Sequence, residues 1–127
     1  MSLQSPLNKV LGLGSAKGGT GHWWAQRMTA ISLVPLTIWF ALGLLGLPHG
    51  NYEMVVAWIA QPLNAILIVL LIISLIYHSS LGLQVVIEDY VHGVAKLVIL
   101  ITVQLAHVAL AVSGIYAVIV LSAGAGW

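Results

Sequence analysis

The sequence predicts an all-α integral membrane protein with three transmembrane helices, and three observations support this fold class. Of its 127 residues, 61% are hydrophobic and only 6% are charged, whereas about a quarter of the residues of a water-soluble domain are charged. Three stretches without charged side chains are each long enough to cross a hydrocarbon core of about 30 Å, which takes roughly 20 helical residues. These stretches lack the alternating pattern of a membrane β-barrel, so helices are predicted to cross the bilayer.

Each predicted span is bounded by residues that start or stop a membrane helix. The first follows Arg27 and contains Pro35, which a membrane helix tolerates with a local kink. The second starts at Pro62, since proline suits the first helical turn. The third follows Lys96, the last charged residue of the chain. The predicted spans are about 28–47, 62–87 and 97–123.

The basic residues predict the orientation of these spans. Lys9, Lys17 and Arg27 precede the first span and Lys96 lies between the second and third. Because basic loops stay in the cytoplasm, the N-terminus is predicted to be cytoplasmic and the C-terminus periplasmic. The N-terminal segment has neither the apolar core of a cleaved signal nor the arginines of a mitochondrial transit peptide, which indicates a multi-pass protein of the bacterial inner membrane.

The chain is predicted to divide into a cytoplasmic tail at 1–26 and a three-helix anchor domain at 27–127. The tail carries Trp23 and Trp24, a pair suited to the membrane interface. Its glycine-rich run lacks the spacing of a nucleotide-binding loop, and the net charge of +1 gives no reason to expect nucleic acid. The absence of cysteine excludes iron–sulfur ligation by this chain.

His78 is the polar residue of greatest interest in the second predicted span. With the span ending near residue 87, His78 lies about 14 Å inside it, close to mid-membrane. It shares one helical stripe with Gly82, Val85 and Asp89. Gly82 leaves a gap in which a large planar group can approach, and imidazole is a common axial ligand of haem. Haem ligation and a hydrogen bond to another helix are both compatible with this pattern.

Three side chains at the predicted cytoplasmic end suit quinone chemistry. The phenol of Tyr90 can donate a hydrogen bond to a carbonyl oxygen, and Asp89 can supply a proton when that carbonyl is reduced. Arg27 can bind a haem propionate or a quinone oxygen. The alternative interpretation is an interfacial tyrosine, a solvated aspartate and an arginine that only sets the topology.

His107 lies about 15 Å into the third predicted span, at about the level of His78. The two histidines could be two ligands of one haem held within this chain. Alternatively, His107 could make a polar contact with another helix.

The segment from His78 to Tyr90, HSSLGLQVVIEDY, resembles the H-x3-G-x6-D-Y signature of the small cytochrome b anchor subunits of succinate dehydrogenase, respiratory complex II. The segment QRMTA at 26–30 resembles the R-x-T-A sequence that starts the first helix of that family. The SAKGG and HWW runs of the tail resemble alphaproteobacterial members. The resemblance covers nearly the whole chain.

This resemblance implies one half of a heterodimeric haem-binding helix bundle. His78 matches the axial ligand of haem b, and a second cytochrome b anchor subunit supplies the other ligand, which favours a structural role for His107. Tyr90 matches the tyrosine that binds ubiquinone, and Asp89 matches its acidic neighbour. Arg27 matches an arginine near the haem propionates and the quinone pocket.

The function implied is the anchoring of a succinate:quinone oxidoreductase of the tricarboxylic acid cycle and the respiratory chain. An iron–sulfur subunit and a flavoprotein subunit would be its further partners, and FAD and the iron–sulfur clusters would belong to those partners alone. By itself the chain would not be an enzyme. Two alternatives stay open: the anchor of a quinol:fumarate reductase, and a non-redox membrane scaffold whose histidines only hold helices together.

Overall fold

The computed structural model describes residues 19–48 and 51–124, and the regular elements in these two ranges are all α-helices. Three of them are long and apolar enough to cross a membrane, which confirms the predicted all-α fold with three spans. They measure about 40, 44 and 48 Å at 1.5 Å per residue, so they extend beyond a 30 Å hydrocarbon core. The helices are α1 (Gly19–Leu45), α2 (Tyr52–Ala60), α3 (Pro62–Tyr90) and α4 (Gly93–Gly124).

The long helices exceed the predicted spans at the end that carries the charged residues. α1 starts nine residues before position 28, so Trp23, Trp24 and Arg27 lie within the helix, which crosses the predicted boundary between tail and anchor. α3 continues to Tyr90. Charged side chains mark the edge of the hydrocarbon core but do not end a helix, because the backbone stays hydrogen-bonded in the interface. Lys9, Lys17 and the SAKGG run lie outside the described residues.

The short helix α2 was not predicted, because its nine residues are too few for a membrane span. Asn51 caps it: its side-chain oxygen accepts a hydrogen bond from the backbone N–H of Met54 at 3.1 Å. Asn64, at the start of α3, secures the other end by donating from Nδ2 to the carbonyl oxygen of Trp58 at 2.8 Å. The start of α3 at Pro62 agrees with the prediction.

α3 is the central helix of the bundle. It packs against α1 and α4, and α2 contacts both α3 and α4. Buried apolar side chains are few in the part of the chain that the structure describes, and α1 contributes none. Helices with so little internal burial are covered by lipid or by other helices. The buried apolar residues are Ile68, Leu71, Leu81, Ile87 and Val118.

An aromatic cluster joins α1 to α2. The rings of Trp39 and Trp58 stack with their centroids 5.4 Å apart, and Phe40 lies 6.1 Å from Trp58. Gly43 makes room for this cluster, because a Cβ at that position would collide with the Trp58 ring.

Gly43→Ala is therefore expected to destabilise the protein by about 1–3 kcal/mol, the usual cost of overpacking. The measurement is the apparent Tm of the detergent-purified protein. Gly21→Ala is the matched control, since a Cβ there meets nothing within 4 Å. Equal Tm values for the two variants would show that the cluster does not depend on a glycine.

Candidate functional site

His78 lies in α3 and faces α1, which runs past it. The distance from its Nδ1 to Oγ1 of Thr29 is 3.1 Å, and its Nε2 lies 3.5 Å from Nε2 of Gln26. Since α3 extends to Tyr90, His78 lies twelve residues from the helix end, or about 18 Å. The structure thus places His78 well inside α3, in the interface between α1 and α3.

The contacts of Thr29 and Gln26 indicate which ring nitrogen of His78 carries the proton. Oγ1 of Thr29 is 2.8 Å from the carbonyl oxygen of Ala25 and donates its single proton there. It therefore accepts a hydrogen bond from Nδ1–H of His78. The amide nitrogen of Gln26 can only donate, so its contact at the limit of hydrogen-bonding distance agrees with a lone pair on Nε2 of His78. A neutral imidazole with such a lone pair is the form that binds metals.

A cleft of about 720 Å³ lies between the first half of α1 and the last part of α3. His78 does not line it, but Gln26, which does, contacts His78. A Cβ on Gly82 would meet Nε2 of Gln26 at 3.7 Å, an ordinary contact. The packing of this chain alone therefore does not require a glycine there, and the amide of Gln26 lies in the space between Gly82 and His78. The cleft is lined by Gly19, His22, Trp23, Gln26, Gly82, Gln84, Val85 and Glu88.

Two residues that line this cleft each carry a buried polar atom that lacks a hydrogen-bond partner within residues 19–48 and 51–124. The two atoms are Nε2 of His22 and Oε1 of Gln26. A buried polar atom without a partner costs about 1–3 kcal/mol, and such atoms in native proteins usually meet water, an ion or a ligand. The cleft is thus suited to a group with a polar edge.

The other three predicted site residues lie at the same end of the bundle but face outwards. Arg27 is exposed, and its guanidinium carbon lies 5.2 Å from the centroid of the Trp23 ring, a cation–π contact. Asp89 and Tyr90 are the last two residues of α3, both are exposed, and Tyr90 is 81% exposed. The structure therefore does not bring these three side chains into the cleft. Glu88 lines it instead.

His107 connects α4 to α3 and is only 8% exposed. Its Nδ1–H donates to the carbonyl oxygen of Val103 at 2.7 Å, and the hydroxyl of Ser79 donates to its Nε2 at 3.0 Å. A second polar bridge lies beside it, from Oγ of Ser80 to Oε1 of Gln104 at 2.9 Å. Both ring nitrogens of His107 are thus used within the chain, which favours a helix contact over a second haem ligand.

Sequence reasoning did not identify Thr29 and Ser79 as the partners of the two histidines. Ser79 follows His78 directly, so the polar pair HS did signal a polar contact on the adjacent face of the helix. Thr29 belongs to the R-x-T-A segment at 26–30, but that segment does not indicate its partner, because His78 lies 49 residues away on another helix.

Comparison with known proteins places the chain in a family. The sequence model of the succinate dehydrogenase/fumarate reductase transmembrane subunits matches residues 1–121. The succinate dehydrogenase hydrophobic membrane anchor subunit of Rickettsia bellii is 39% identical over 83 residues, 65% of this chain and 66% of the relative. The subunit of the same name from Paracoccus denitrificans is 32% identical over 89 residues, 70% of this chain and 69% of the relative.

A third relative, the succinate dehydrogenase membrane anchor subunit of Reclinomonas americana, is 33% identical over 88 residues, 67% of this chain and 73% of the relative. The chain spans about two thirds of the length of the relatives that it matches. The residues that the family model matches include α1 and α3, the two helices that meet at His78. This chain belongs to the family of succinate dehydrogenase/fumarate reductase transmembrane subunits.

Proposed function

We propose that this chain anchors a succinate:quinone oxidoreductase in the bacterial inner membrane, ligates a haem b and contributes to the site of ubiquinone reduction. One observation supports the haem assignment above all: Nδ1 of His78 lies 3.1 Å from Oγ1 of Thr29, which leaves on Nε2 a lone pair that only the weak 3.5 Å contact with Gln26 meets. The N-terminus would lie in the cytoplasm and the C-terminus in the periplasm. Arg27 and Lys96 lie at the same end of the bundle, as that topology requires.

The residues around His78 fit a haem. Imidazole nitrogen is a suitable donor for haem iron, Gly82 presents no side chain to the cleft, and two residues that line the cleft carry buried polar atoms without partners in the described residues. When bound, a haem b would take up one electron and release it again. His78 would hold the iron from this side, and the other axial ligand would come from a second cytochrome b anchor subunit, because both ring nitrogens of His107 are already bonded.

The quinone site would lie at the end of α3. The hydroxyl of Tyr90 would donate a hydrogen bond to a quinone carbonyl, and the carboxyl group of Asp89 would hold a proton beside it. Arg27, at the same end of the bundle, would bind a haem propionate or a quinone oxygen. Since Tyr90 is 81% exposed in this chain, the walls of the pocket would come from the second anchor subunit and the iron–sulfur subunit.

The surface of the bundle supports the need for partners. α1 has no buried residue, and large apolar side chains are exposed along the three long helices. A second anchor subunit and lipid would cover these faces. The iron–sulfur subunit, which would in turn carry the flavoprotein subunit, would dock at the cytoplasmic end. Succinate oxidation would take place in those partners.

A tag on this chain tests the proposal. After mild solubilisation, the co-purifying polypeptides are identified, a dithionite-reduced minus oxidised absorption spectrum is recorded and succinate:quinone activity is measured. The proposal expects a flavoprotein, an iron–sulfur protein, a second anchor and a b-type haem signal. A chain that purifies without haem and without redox partners would be a non-redox scaffold.

The direction of the reaction has a second candidate, because the matching family includes fumarate reductase subunits. In such an enzyme the same anchor would deliver electrons from quinol to fumarate. The ratio of succinate oxidation to fumarate reduction by the purified complex separates the two. A ratio well above one supports the proposed direction.

A further inference from the structure

We infer that Thr29 is a positioning residue for haem ligation: its hydroxyl oxygen holds Nδ1–H of His78 and so directs the lone pair of Nε2 towards the iron. The inference rests on the proposed function, since it assigns a role to Thr29 in binding the haem. It concerns a residue of α1 that touches His78 but would not itself contact the iron.

Thr29 is fixed in the orientation that this role requires. Its Oγ1 lies 2.8 Å from the carbonyl oxygen of Ala25 and 3.1 Å from that of Gln26, so its proton is directed back onto its own helix. A threonine that bonds to the preceding turn in this way has a restricted side-chain rotamer. The acceptor lone pair of the oxygen therefore faces α3, where Nδ1 of His78 lies 3.1 Å away.

The contrast with His107 shows what is particular about His78. In each ring Nδ1 donates to an oxygen, from Thr29 in one case and from the Val103 carbonyl in the other. In His107 the opposite nitrogen accepts a good hydrogen bond from Ser79 at 3.0 Å. In His78 the opposite nitrogen has only the amide of Gln26 at 3.5 Å, a weak contact that a stronger bond can displace.

A hydrogen bond from Nδ1–H has two consequences for a ligand histidine. It fixes the tautomer and the ring orientation, and it makes the ligand nitrogen a stronger donor of electrons. A stronger donor stabilises ferric over ferrous iron, so the intact bond lowers the midpoint potential of the haem. Loss of such an outer partner typically weakens metal binding by about 10–100-fold.

The test compares Thr29→Val, which keeps the shape but removes the oxygen, with Thr29→Ser, which keeps the oxygen. Thr37→Val is the matched control: Thr37 is an exposed residue of the same helix whose hydroxyl bonds only to the preceding turn, at 2.6 and 3.1 Å. The measurements are the ratio of haem to protein in the tagged complex and the haem midpoint potential in a redox titration. Thr29→Val is expected to lose haem at least about tenfold more readily during detergent washing and to show a raised midpoint potential. Thr29→Ser and Thr37→Val should match the wild type.

The outcomes separate this inference from the function on which it rests. A wild-type complex without b-type haem would overturn both. A haem-containing wild type whose Thr29→Val variant keeps the same haem ratio and potential would overturn the role of Thr29 alone. Loss of haem in Thr29→Ser equal to that in Thr29→Val would also overturn it, because the packing of the methyl group, and not the hydroxyl oxygen, would then hold the site.

Discussion

His78→Ala is expected to abolish the b-type absorption signal of the tagged complex, with the partner subunits still present. Alanine removes the imidazole ring of His78, and with it the Nε2 lone pair that the contact with Thr29 leaves available. The loss should be nearly complete, because an axial ligand cannot be replaced by a methyl group. The measurement is the dithionite-reduced minus oxidised spectrum, normalised to the amount of iron–sulfur protein that co-purifies.

His107→Gln is the control for this prediction, and it is expected to retain the haem. His107 lies at a similar depth, but its two ring nitrogens bond to Val103 and Ser79. A glutamine amide can donate and accept in their place. If both variants lost the haem, the two histidines would have to act together, either as a ligand pair within this chain or through the packing of α3 against α4. Loss of the signal in His107→Gln alone would transfer the ligand role to His107.

Hydropathy predicted the number of membrane helices because burial in lipid is a property of a whole segment of about 20 residues. The ends of the helices were predicted less well. The charge of Arg27 predicted a span that starts at residue 28, but α1 starts at Gly19, since backbone hydrogen bonds continue past a charged residue. Asn51 and Glu53 are good residues for a helix start, but α2 has only nine residues, so hydropathy over the length of a membrane span does not indicate it.

The sequence predicted only those features of the candidate site that follow from the spacing of residues along a single helix. Depth and the gap at Gly82 pointed to His78, because both follow from spacing along α3. Which residue of α1 faces His78 depends on the rotation and crossing of two helices, and these are set by packing along their whole length. The hydrogen bond between Thr29 and His78 could therefore not be predicted from the sequence. The surroundings of Tyr90 could not be predicted for another reason. Tyr90 is exposed in this chain, so its surroundings depend on the molecule that covers it.

Tyr90→Phe is expected to lower the rate of ubiquinone reduction by about tenfold or more, while succinate oxidation by a soluble dye acceptor continues. Phenylalanine keeps the ring and removes only the hydroxyl, which is the proposed donor to the quinone carbonyl. A hydrogen bond of about 1.5 kcal/mol that forms as the carbonyl takes up charge corresponds to roughly tenfold in rate. The measurement is succinate-dependent reduction of ubiquinone and of the dye by the same purified complex.

Tyr116→Phe makes the same change on α4 and is expected to leave both rates unaltered. Tyr116 is exposed like Tyr90, at 67% against 81%, but it lies near the other end of the bundle, eight residues before Gly124. A general effect of losing an interfacial hydroxyl would therefore appear in both variants. Equal loss of quinone and dye reduction in Tyr90→Phe would indicate damaged docking of the succinate-oxidising subunits. An unchanged rate of quinone reduction would leave Tyr90 as a residue of the interfacial belt, and the donor to the quinone would have to come from a partner subunit.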